Sequence, residues 1–171
     1  FAALIERVIA GGASAVVPCG TTGESPTLSH TEHDEVVRLA VETVDHRVHV
    51  IAGAGSNSTS EAVRLTKAAA ENGADAVLSV NPYYNKPTQA GMIEHFRHVA
   101  DASGLPVVLY DIPGRCGVGL DPATLVTLAE HENIRAIKVA TGRAEDVSFI
   151  TANTDLAALS GDDALTLPMM S

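Results

Sequence analysis

The feature that most constrains this chain is a repeat of short apolar runs separated by longer amphipathic segments. The runs lack the alternation of polar and apolar residues that half-exposed strands carry, so each predicts a strand covered on both faces. The segments between them have the apolar spacing of helices that pack on a sheet. The repeat predicts an α/β fold with a buried parallel sheet, whose six strands lie at residues 15–18, 48–52, 76–80, 107–110, 134–139 and 156–159.

Two sequence signals mark where helices begin. Ser29 with Glu32, and Ser58 with Glu61, match the capping box, in which two side chains satisfy backbone N–H groups at the start of a helix. No linker, low-complexity tract or charge block divides the chain. Residues 1–171 are therefore predicted to belong to one domain.

The loops that follow the strands decide between two α/β architectures. A doubly wound sheet concentrates its ligand loops at one switch point, whereas a (β/α)8 barrel gathers the loops of all strands around one mouth. Here every run leads into a polar or glycine-rich loop, which favours the (β/α)8, or TIM, barrel. With six runs present, we expect a fragment of such a barrel that lacks the first and last strands. The loops are residues 20–25, 53–57, 81–85, 111–115, 140–142 and 160–163.

Composition excludes several partners. The 171 residues include 11 Lys and Arg against 21 Asp and Glu, for a formal net charge of -10. Such a surface repels nucleic acid and anionic lipid, and no basic run offers an exception. The long uncharged stretch at 8–23 is interrupted by glycine and proline, so no transmembrane helix is predicted. Two cysteines are too few for a disulfide scaffold, and a cytoplasmic location is expected.

Lys138 is the most informative single residue. It lies near the end of the largely apolar strand predicted at 134–139, and the chain has only two other lysines. Removal from water disfavours the charged ammonium, and the neutral amine is the form that attacks a carbonyl to make a Schiff base. A structural lysine whose tip reaches water is an equally good interpretation of this pattern alone.

The loop at 20–25 offers two threonine hydroxyls, Thr21 and Thr22, and a run of backbone N–H groups before a helix. Such a loop can bind a carboxylate or another small oxyanion. It lacks the lysine and the glycine spacing of a phosphate-binding P-loop. A tight glycine turn capped by threonine side chains is the alternative.

All three tyrosines and one arginine fall at the same predicted mouth. Tyr83, Tyr84 and Tyr110 each lie at or just after the end of a strand, where a phenol can relay a proton to a substrate oxygen. Packing of the ring with its hydroxyl in water is the alternative for each one. Arg115 can bind a carboxylate through two parallel hydrogen bonds, or can be a solvated surface residue.

Two histidine pairs lie one helical turn apart. Neither His30 with His33 nor His95 with His98 shows the ligand set and spacing of a zinc site. Exposed positions on helices explain both pairs, and no metal is predicted.

Four segments together resemble the dihydrodipicolinate synthase family, within the pyruvate-dependent class I aldolases that include N-acetylneuraminate lyase. They are specific in combination because they occur in the family's order and at compatible spacing. The resemblance covers the whole chain and implies that the family's C-terminal helical domain is absent. The segments read Gly-Thr-Thr-Gly-Glu-Ser at 20–25, Asn-Pro-Tyr-Tyr-Asn at 81–85, Tyr-Asp-Ile-Pro-Gly-Arg at 110–115 and Ile-Lys at 137–138.

The resemblance implies a lyase that condenses pyruvate with L-aspartate 4-semialdehyde on the route to lysine and diaminopimelate, without a cofactor. Lys138 would form the Schiff base with pyruvate, and the resulting enamine would be the nucleophile. Tyr84 would reach the site of a neighbouring subunit in a homotetramer. The remaining implied roles are a proton relay of Tyr110, Thr21 and Tyr84, and substrate binding by Thr22, Arg115 and Gly161.

The resemblance also implies feedback inhibition by L-lysine at a site away from Lys138 and near a subunit interface. Glu61 can pair with an ammonium group, whereas Asn57 and Tyr83 can hydrogen-bond a carboxylate. Solvated positions on helix surfaces are the alternative, and Pro26 departs from the small residue common at its position. The implied effector residues are Ser25, His30, His33, Asn57, Glu61 and Tyr83.

Two other functions remain open at this point. Val139 and Cys116 depart from the family pattern next to the lysine and the arginine, which leaves room for an N-acetylneuraminate lyase or a keto-deoxy sugar acid aldolase. Arg115 argues against these, because a sugar acid lyase does not need an arginine for a short amino-acid carboxylate. A non-catalytic binding protein with this barrel would be expected to lack the lysine or a tyrosine, and Lys138 and Tyr110 are both present.

Overall fold

A computed structural model describes residues 1–171 and contains six strands that match the six predicted runs. The first strand is shorter than predicted because Pro18 has no N–H to donate to a neighbour and Cys19 adopts a positive φ of 55°. The other strands begin and end within about one residue of the prediction, as expected for element ends. The strands are β1 Ala15–Val16, β2 His49–Gly53, β3 Ala76–Val80, β4 Val107–Asp111, β5 Ile134–Val139 and β6 Ala157–Ser160.

Helices occupy the segments between the strands, with a short additional helix after β4. Short 3-10 turns lie in the loops after β1 and β6, at Thr21–Gly23, Ser25–Thr27 and Asp163–Leu165. No helix is both long and apolar enough to cross a membrane. The helices are α1 Ala2–Ala10, α2 His30–Val44, α3 Thr59–Glu71, α4 Gln89–Asp101, α5 Pro113–Cys116, α6 Pro122–Ala129, α7 Glu145–Asn153 and α8 Thr166–Met170.

The sheet is entirely parallel, and its strands follow one another in chain order from β1 to β6. A doubly wound sheet would reverse direction at a switch point, so the sequential order is that of a β/α barrel. This confirms the predicted architecture. All strands point the same way, and therefore the loops after them share one edge of the sheet.

The pairing of β4 with β5 shifts by one residue at its start. Val107 pairs with Ile134 but Val108 pairs with Ala136, so Arg135 has no partner on β4. Such a bulge changes which residues of the two strands lie side by side. Beyond it, Tyr110 of β4 and Lys138 of β5 are direct neighbours in register.

The two faces of the sheet differ in what covers them. A cluster of 27 buried residues fills the space between one face and the helices, and includes Leu109 and Ile137. The other face carries a small cluster of Leu78, Val108, Tyr110 and Ala136. Because side chains alternate along a strand, Lys138 lies on the same face as Ala136. The barrel interior therefore holds the two residues that the sequence analysis singled out at the ends of β4 and β5.

One of the two predicted capping boxes is confirmed and the other is wrong. At the start of α2, the Ser29 N–H donates to Glu32 Oε2 at 2.8 Å, and the Glu32 N–H donates to Ser29 Oγ at 3.3 Å. At the start of α3, Ser58 makes no capping bond, and the Glu61 side chain turns away from it. The Glu61 carboxylate instead binds His30 of α2, a partner that only the tertiary structure supplies.

Gly53 allows β1 and β2 to converge below the mouth. A Cβ atom on this residue would lie 2.0 Å from the carbonyl oxygen of Cys19, closer than any real contact. The Gly53 N–H also donates to the carbonyl oxygen of Pro18 at 2.9 Å. Only glycine permits this approach, which brings the loop containing Thr21 over the end of β2.

Candidate active site

A cavity of about 510 Å³ opens at the carboxyl edge of the sheet. It is bounded by the ends of β1 to β4 and by the loops and helices that follow them. Its lining includes Thr21, Tyr110 and Arg115, three of the residues predicted for catalysis or substrate binding. The mouth of a β/α barrel is where this fold places its functional groups.

Lys138 lies half-buried next to this cavity, although it is not part of the lining. Its Nζ atom is 4.3 Å from the centre of the Tyr110 ring and makes no hydrogen bond or ion pair. Burial lowers the pKa of the Lys138 ammonium, and this effect is opposed by the charge of Asp163. A lowered pKa increases the share of the neutral, nucleophilic amine.

Gly161 lies against the Lys138 side chain. A Cβ atom there would be 3.1 Å from Lys138 Cε, 2.9 Å from Ala140 Cβ and 3.0 Å from the Val139 carbonyl oxygen. Any larger residue would therefore force Ala140 or the lysine side chain to shift. The predicted substrate-binding residue lies beside the predicted nucleophile.

The loop after β1 presents two free hydroxyls at the carboxyl edge of the sheet. Gly23 and Glu24 donate their N–H groups back to the carbonyl oxygens of Gly20 and Thr21. The side-chain hydroxyls of Thr21 and Thr22 make no hydrogen bond within the chain and are exposed. Thr21 lines the cavity, whereas Thr22 does not. The structure thus brings one of the two predicted threonines to the cavity.

Tyr110 and Arg115 contribute a phenol and a free cation to the same cavity. Burial raises the pKa of the Tyr110 phenol, and the nearby Arg115 charge partly offsets this rise. The Arg115 guanidinium makes no ion pair or hydrogen bond with any protein group. Its five donors therefore remain available for a ligand carboxylate.

Tyr84 does not reach this cavity. Its side chain points outward with 90% of the residue exposed, and its backbone has a positive φ of 72°. The Tyr84 N–H donates to the Cys116 carbonyl oxygen at 3.3 Å, which fixes the loop against α5. Of the three predicted relay residues, this chain brings Tyr110 and Thr21 to the cavity, while Tyr84 faces away from it.

Most of the predicted effector residues line the same cavity. Glu61 accepts hydrogen bonds from Ser56 and from His30, the latter at 2.8 Å, and these bonds lower the pKa of its carboxyl. Asn57 lies outside the lining and donates to the Tyr83 carbonyl oxygen at 3.2 Å. The lining members of the set are Ser25, His30, His33, Glu61 and Tyr83. The predicted effector site therefore shares one cavity with Thr21, Tyr110 and Arg115.

The prediction that both histidine pairs occupy exposed helix positions is wrong for one member of each pair. His33 is 4% exposed and its Nε2 lies 2.8 Å from the Gly53 carbonyl oxygen. His95 is 3% exposed, bonds to Thr59 through Nδ1 at 2.9 Å, and has its pKa lowered to about 4 by burial. His33, on α2, contacts the end of β2, and His95, on α4, contacts α3. Contacts between elements, which a one-turn spacing does not reveal, decide their burial.

A buried polar pair below the mouth was missed by the sequence analysis. Asn81 follows β3 and is fully buried, and its Nδ2 donates to Asp111 Oδ1 at 2.7 Å. Asp111 ends β4, is 6% exposed, and also accepts a hydrogen bond from the Leu120 N–H at 3.3 Å. Burial raises the pKa of the Asp111 carboxyl to about 6. The signal was present, since both residues directly follow apolar runs at the same edge.

The fold and the site together define the class of protein. It is a six-stranded parallel part of a β/α barrel, with an unpaired lysine, an unpaired arginine and a loop with two free threonine hydroxyls at the carboxyl edge of its sheet. A sequence model of the Dihydrodipicolinate synthetase family matches residues 1–171, and the chain belongs to this family.

Individual relatives agree with this assignment. A 4-hydroxy-tetrahydrodipicolinate synthase from Geobacter sulfurreducens is 53% identical over 170 residues, which are 98% of this chain and 59% of the relative. The chloride-inhibited synthase from Acinetobacter baumannii, solved in complex with pyruvate, is 47% identical with a TM-score of 0.95 over 99% of this chain and 59% of that one. The synthase from Cyanidioschyzon merolae with lysine bound is 45% identical with a TM-score of 0.95, over 99% and 58%.

The chain spans about 59% of the length of the curated relatives it matches. The likeness confirms the predicted family and the predicted barrel fold. Pyruvate and lysine are ligands of those two relatives.

The Asp111→Asn variant tests whether the buried carboxyl is destabilising when ionised. Its folded pKa of about 6 exceeds the unfolded value of 3.8. Stability is therefore lost as the pH rises from about 4 through about 6, by about 3 kcal/mol in total. We expect the variant to be more stable than the wild type at pH 8 by up to this amount. At pH 4 the wild-type carboxyl is protonated in the folded state, so the two proteins should differ little in stability from this cause.

Denaturant unfolding at both pH values measures this difference. Asp101→Asn is the matched control, because Asp101 is exposed and bonds only His131. A difference between Asp111→Asn and the wild type that does not change with pH would contradict the raised pKa.

Proposed function

We propose that this chain is part of the catalytic barrel of a 4-hydroxy-tetrahydrodipicolinate synthase, with residues 1–171 belonging to one domain. The observation that carries the proposal is the unpaired, half-buried amine of Lys138 beside the Tyr110 ring. The names of the relatives agree with this reaction. The substrates would be pyruvate and L-aspartate 4-semialdehyde.

The first half-reaction would take place at Lys138. The neutral amine adds to the ketone carbon of pyruvate, and loss of water leaves an imine. The Thr21 and Thr22 hydroxyls, which have no hydrogen-bond partner within the chain, are suited to the pyruvate carboxylate. Gly161 leaves room for the bound lysine chain, as its near contact with Cε suggests. The complex of the Acinetobacter baumannii relative with pyruvate supports this substrate.

The second half-reaction would use the free cation at the mouth. Loss of a methyl proton converts the imine to an enamine, whose carbon attacks the aldehyde of the semialdehyde. The aldehyde oxygen takes a proton, for which Tyr110 is the candidate donor, since its ring centre lies 4.3 Å from Lys138 Nζ. The substrate amine then displaces Lys138 from the imine carbon and closes the ring. Arg115 would hold the carboxylate of this second substrate.

The Tyr84 role would depend on a second subunit. Its exposed ring and positive φ suit a side chain held ready for a neighbouring site, where it would complete the relay of Tyr110 and Thr21. We therefore propose a homo-oligomer, a tetramer by family resemblance. A cytoplasmic location is proposed as well, in keeping with two buried cysteines that form no disulfide.

Borohydride trapping tests the first half-reaction. Pyruvate and borohydride applied to the full-length protein should label Lys138 irreversibly, because reduction traps an imine only where an amine has attacked the ketone. Peptide mass mapping locates the label. Lys138→Ala should abolish it, whereas Lys67→Ala, the matched control, should retain it. A label on Lys67 or Lys86 alone would refute the assignment.

Arg115→Ala tests the second half-reaction. Loss of a charge-assisted pair is worth about 1.5 to 3 kcal/mol, so kcat/KM for the semialdehyde should fall by about 10- to 150-fold. Imine formation with pyruvate should change little. Arg143→Ala is the control, because Arg143 is already paired with Asp146 at the surface. Equal damage to both half-reactions would show that Arg115 has a different role.

An L-lysine titration tests the effector site, which would consist of Ser25, His30, His33, Asn57, Glu61 and Tyr83. The lysine-bound relative from Cyanidioschyzon merolae supports this ligand. Initial rates of the full-length enzyme should fall at millimolar L-lysine, and Glu61→Gln should weaken inhibition by about 10-fold through loss of a charged partner. Glu35→Gln on the exposed face of α2 is the control. Rates that do not respond to lysine, or a Glu61→Gln enzyme inhibited like the wild type, would exclude the site.

A further inference from the structure

Buried polar groups hydrogen-bond to the backbone of the segment that carries Arg115. This segment, residues 112–121, includes α5 and the turn before α6. The Leu120 N–H donates to Asp111 Oδ1 at 3.3 Å, and the Val118 carbonyl oxygen accepts from Asn81 Nδ2 at 3.3 Å. The same Asn81 nitrogen binds Asp111 Oδ1 at 2.7 Å. One buried amide–carboxylate pair therefore contacts the segment at two backbone groups.

Cys116 joins the same pair to the tyrosine loop. Its thiol donates to the Asn81 carbonyl oxygen at 3.3 Å, and its own carbonyl oxygen accepts from the Tyr84 N–H at 3.3 Å. Arg115 is its immediate neighbour in the chain. A shift at Asn81 would consequently move the backbone that supports both Arg115 and Tyr84.

The Asp111 carboxylate has no cation in contact. The charged groups that face it are Arg143 and Asp146, which bind each other and act on Asp111 in opposite directions. The Cys116 thiol, whose pKa burial raises to about 11, stays neutral. A buried carboxylate that binds only amide donors is costly for stability, and such groups cluster at functional sites.

We propose that Asn81 and Asp111 are positioning residues that hold segment 112–121 so that Arg115 reaches the second substrate. The requirement is an acceptor oxygen at position 111 facing both Asn81 Nδ2 and the Leu120 N–H. The pair lies outside the cavity lining and so acts through the segment. This inference rests on the proposed function, because it assigns the pair to the semialdehyde half-reaction.

An asparagine at position 111 preserves the required geometry. Its amide oxygen can accept both hydrogen bonds, and its nitrogen can donate to Asn81 Oδ1, a buried atom that has no partner in the native protein. Asp111→Asn is therefore the conservative variant. Alanine at the same position removes the acceptor and leaves the Asn81 amide and the Leu120 N–H unsatisfied.

The experiment compares Asp111→Ala and Asp111→Asn with the wild type in the full-length enzyme, in both half-reactions. We expect Asp111→Ala to form the borohydride-trapped pyruvate imine within about threefold of the wild-type rate, but to lose about 10-fold or more in kcat/KM for the semialdehyde. Asp111→Asn should recover to within about threefold of the wild type. Asp101→Ala, at the opposite end of the barrel, is the control.

A double variant separates positioning from general damage. If Asp111 acts through Arg115, adding Asp111→Ala to Arg115→Ala should lower semialdehyde use by less than about twofold further, because coupled residues are not additive. Should Asp111→Ala fail to fold, Asn81→Asp replaces it. In Asn81→Asp, two carboxylates would face each other and repel more strongly when both are ionised. The loss of kcat/KM for the semialdehyde, relative to the wild type, should therefore be larger at pH 8 than at pH 6.

Distinct outcomes identify distinct failures. A wild-type enzyme that traps no pyruvate imine overturns the proposed function itself. A normal wild type with Asp111→Ala unimpaired, or equally impaired in both half-reactions, overturns the positioning role alone. The positioning role is also overturned if the losses of semialdehyde kcat/KM in the double variant are additive. It is overturned as well if the Asn81→Asp loss is the same at both pH values.

Discussion

All six strands run in one direction, and this constraint decides where a polar group can be placed. Along the central strands β3 and β4 most side chains are buried, so a charged side chain there would lose its hydration without compensation. At the carboxyl edge the strands end and water has access. Lys138, Tyr110 and Asp111 all lie at this edge, and the loops that follow the strands add Thr21 and Arg115. The parallel sheet thus brings these polar groups together at one edge.

The electrostatics of this edge are arranged by burial more than by ion pairs. Burial lowers the pKa of Lys138 and raises the pKa values of Tyr110 and Asp111, with desolvation as the largest cause in each case. Arg115, by contrast, stays unpaired next to the cavity. An amine that is more readily neutral and a cation that is free to bind an anion, both at this edge of the sheet, suit a carbonyl substrate that also carries a carboxylate.

The cavity is lined both by candidate catalytic residues and by candidate effector residues, which lie on different elements. His30 and Glu61 lie on α2 and α3, yet they border the same space as Thr21 and Tyr110. The carboxylate of Glu61 does not cap α3, because it accepts hydrogen bonds from His30 of α2 and from Ser56 in the loop before α3. A ligand that competes for Glu61 would therefore act on groups that share a cavity with the catalytic candidates. The proposed effector site and the proposed reaction would then be linked through one cavity.

The sequence by itself determined the parallel β/α repeat, the order of the strands and the nature of the mouth, because hydrophobic period and loop composition are local properties. Lys138, Tyr110 and Arg115 could be named from their positions at strand ends. Only the tertiary structure decided which residues these side chains contact. The bulge at Arg135 aligns Lys138 with Tyr110, and contacts with β2 and with α3 accompany the burial of His33 and His95 respectively. The Asn81–Asp111 pair spans 30 residues of sequence, and such a contact depends on how two strands come together in space.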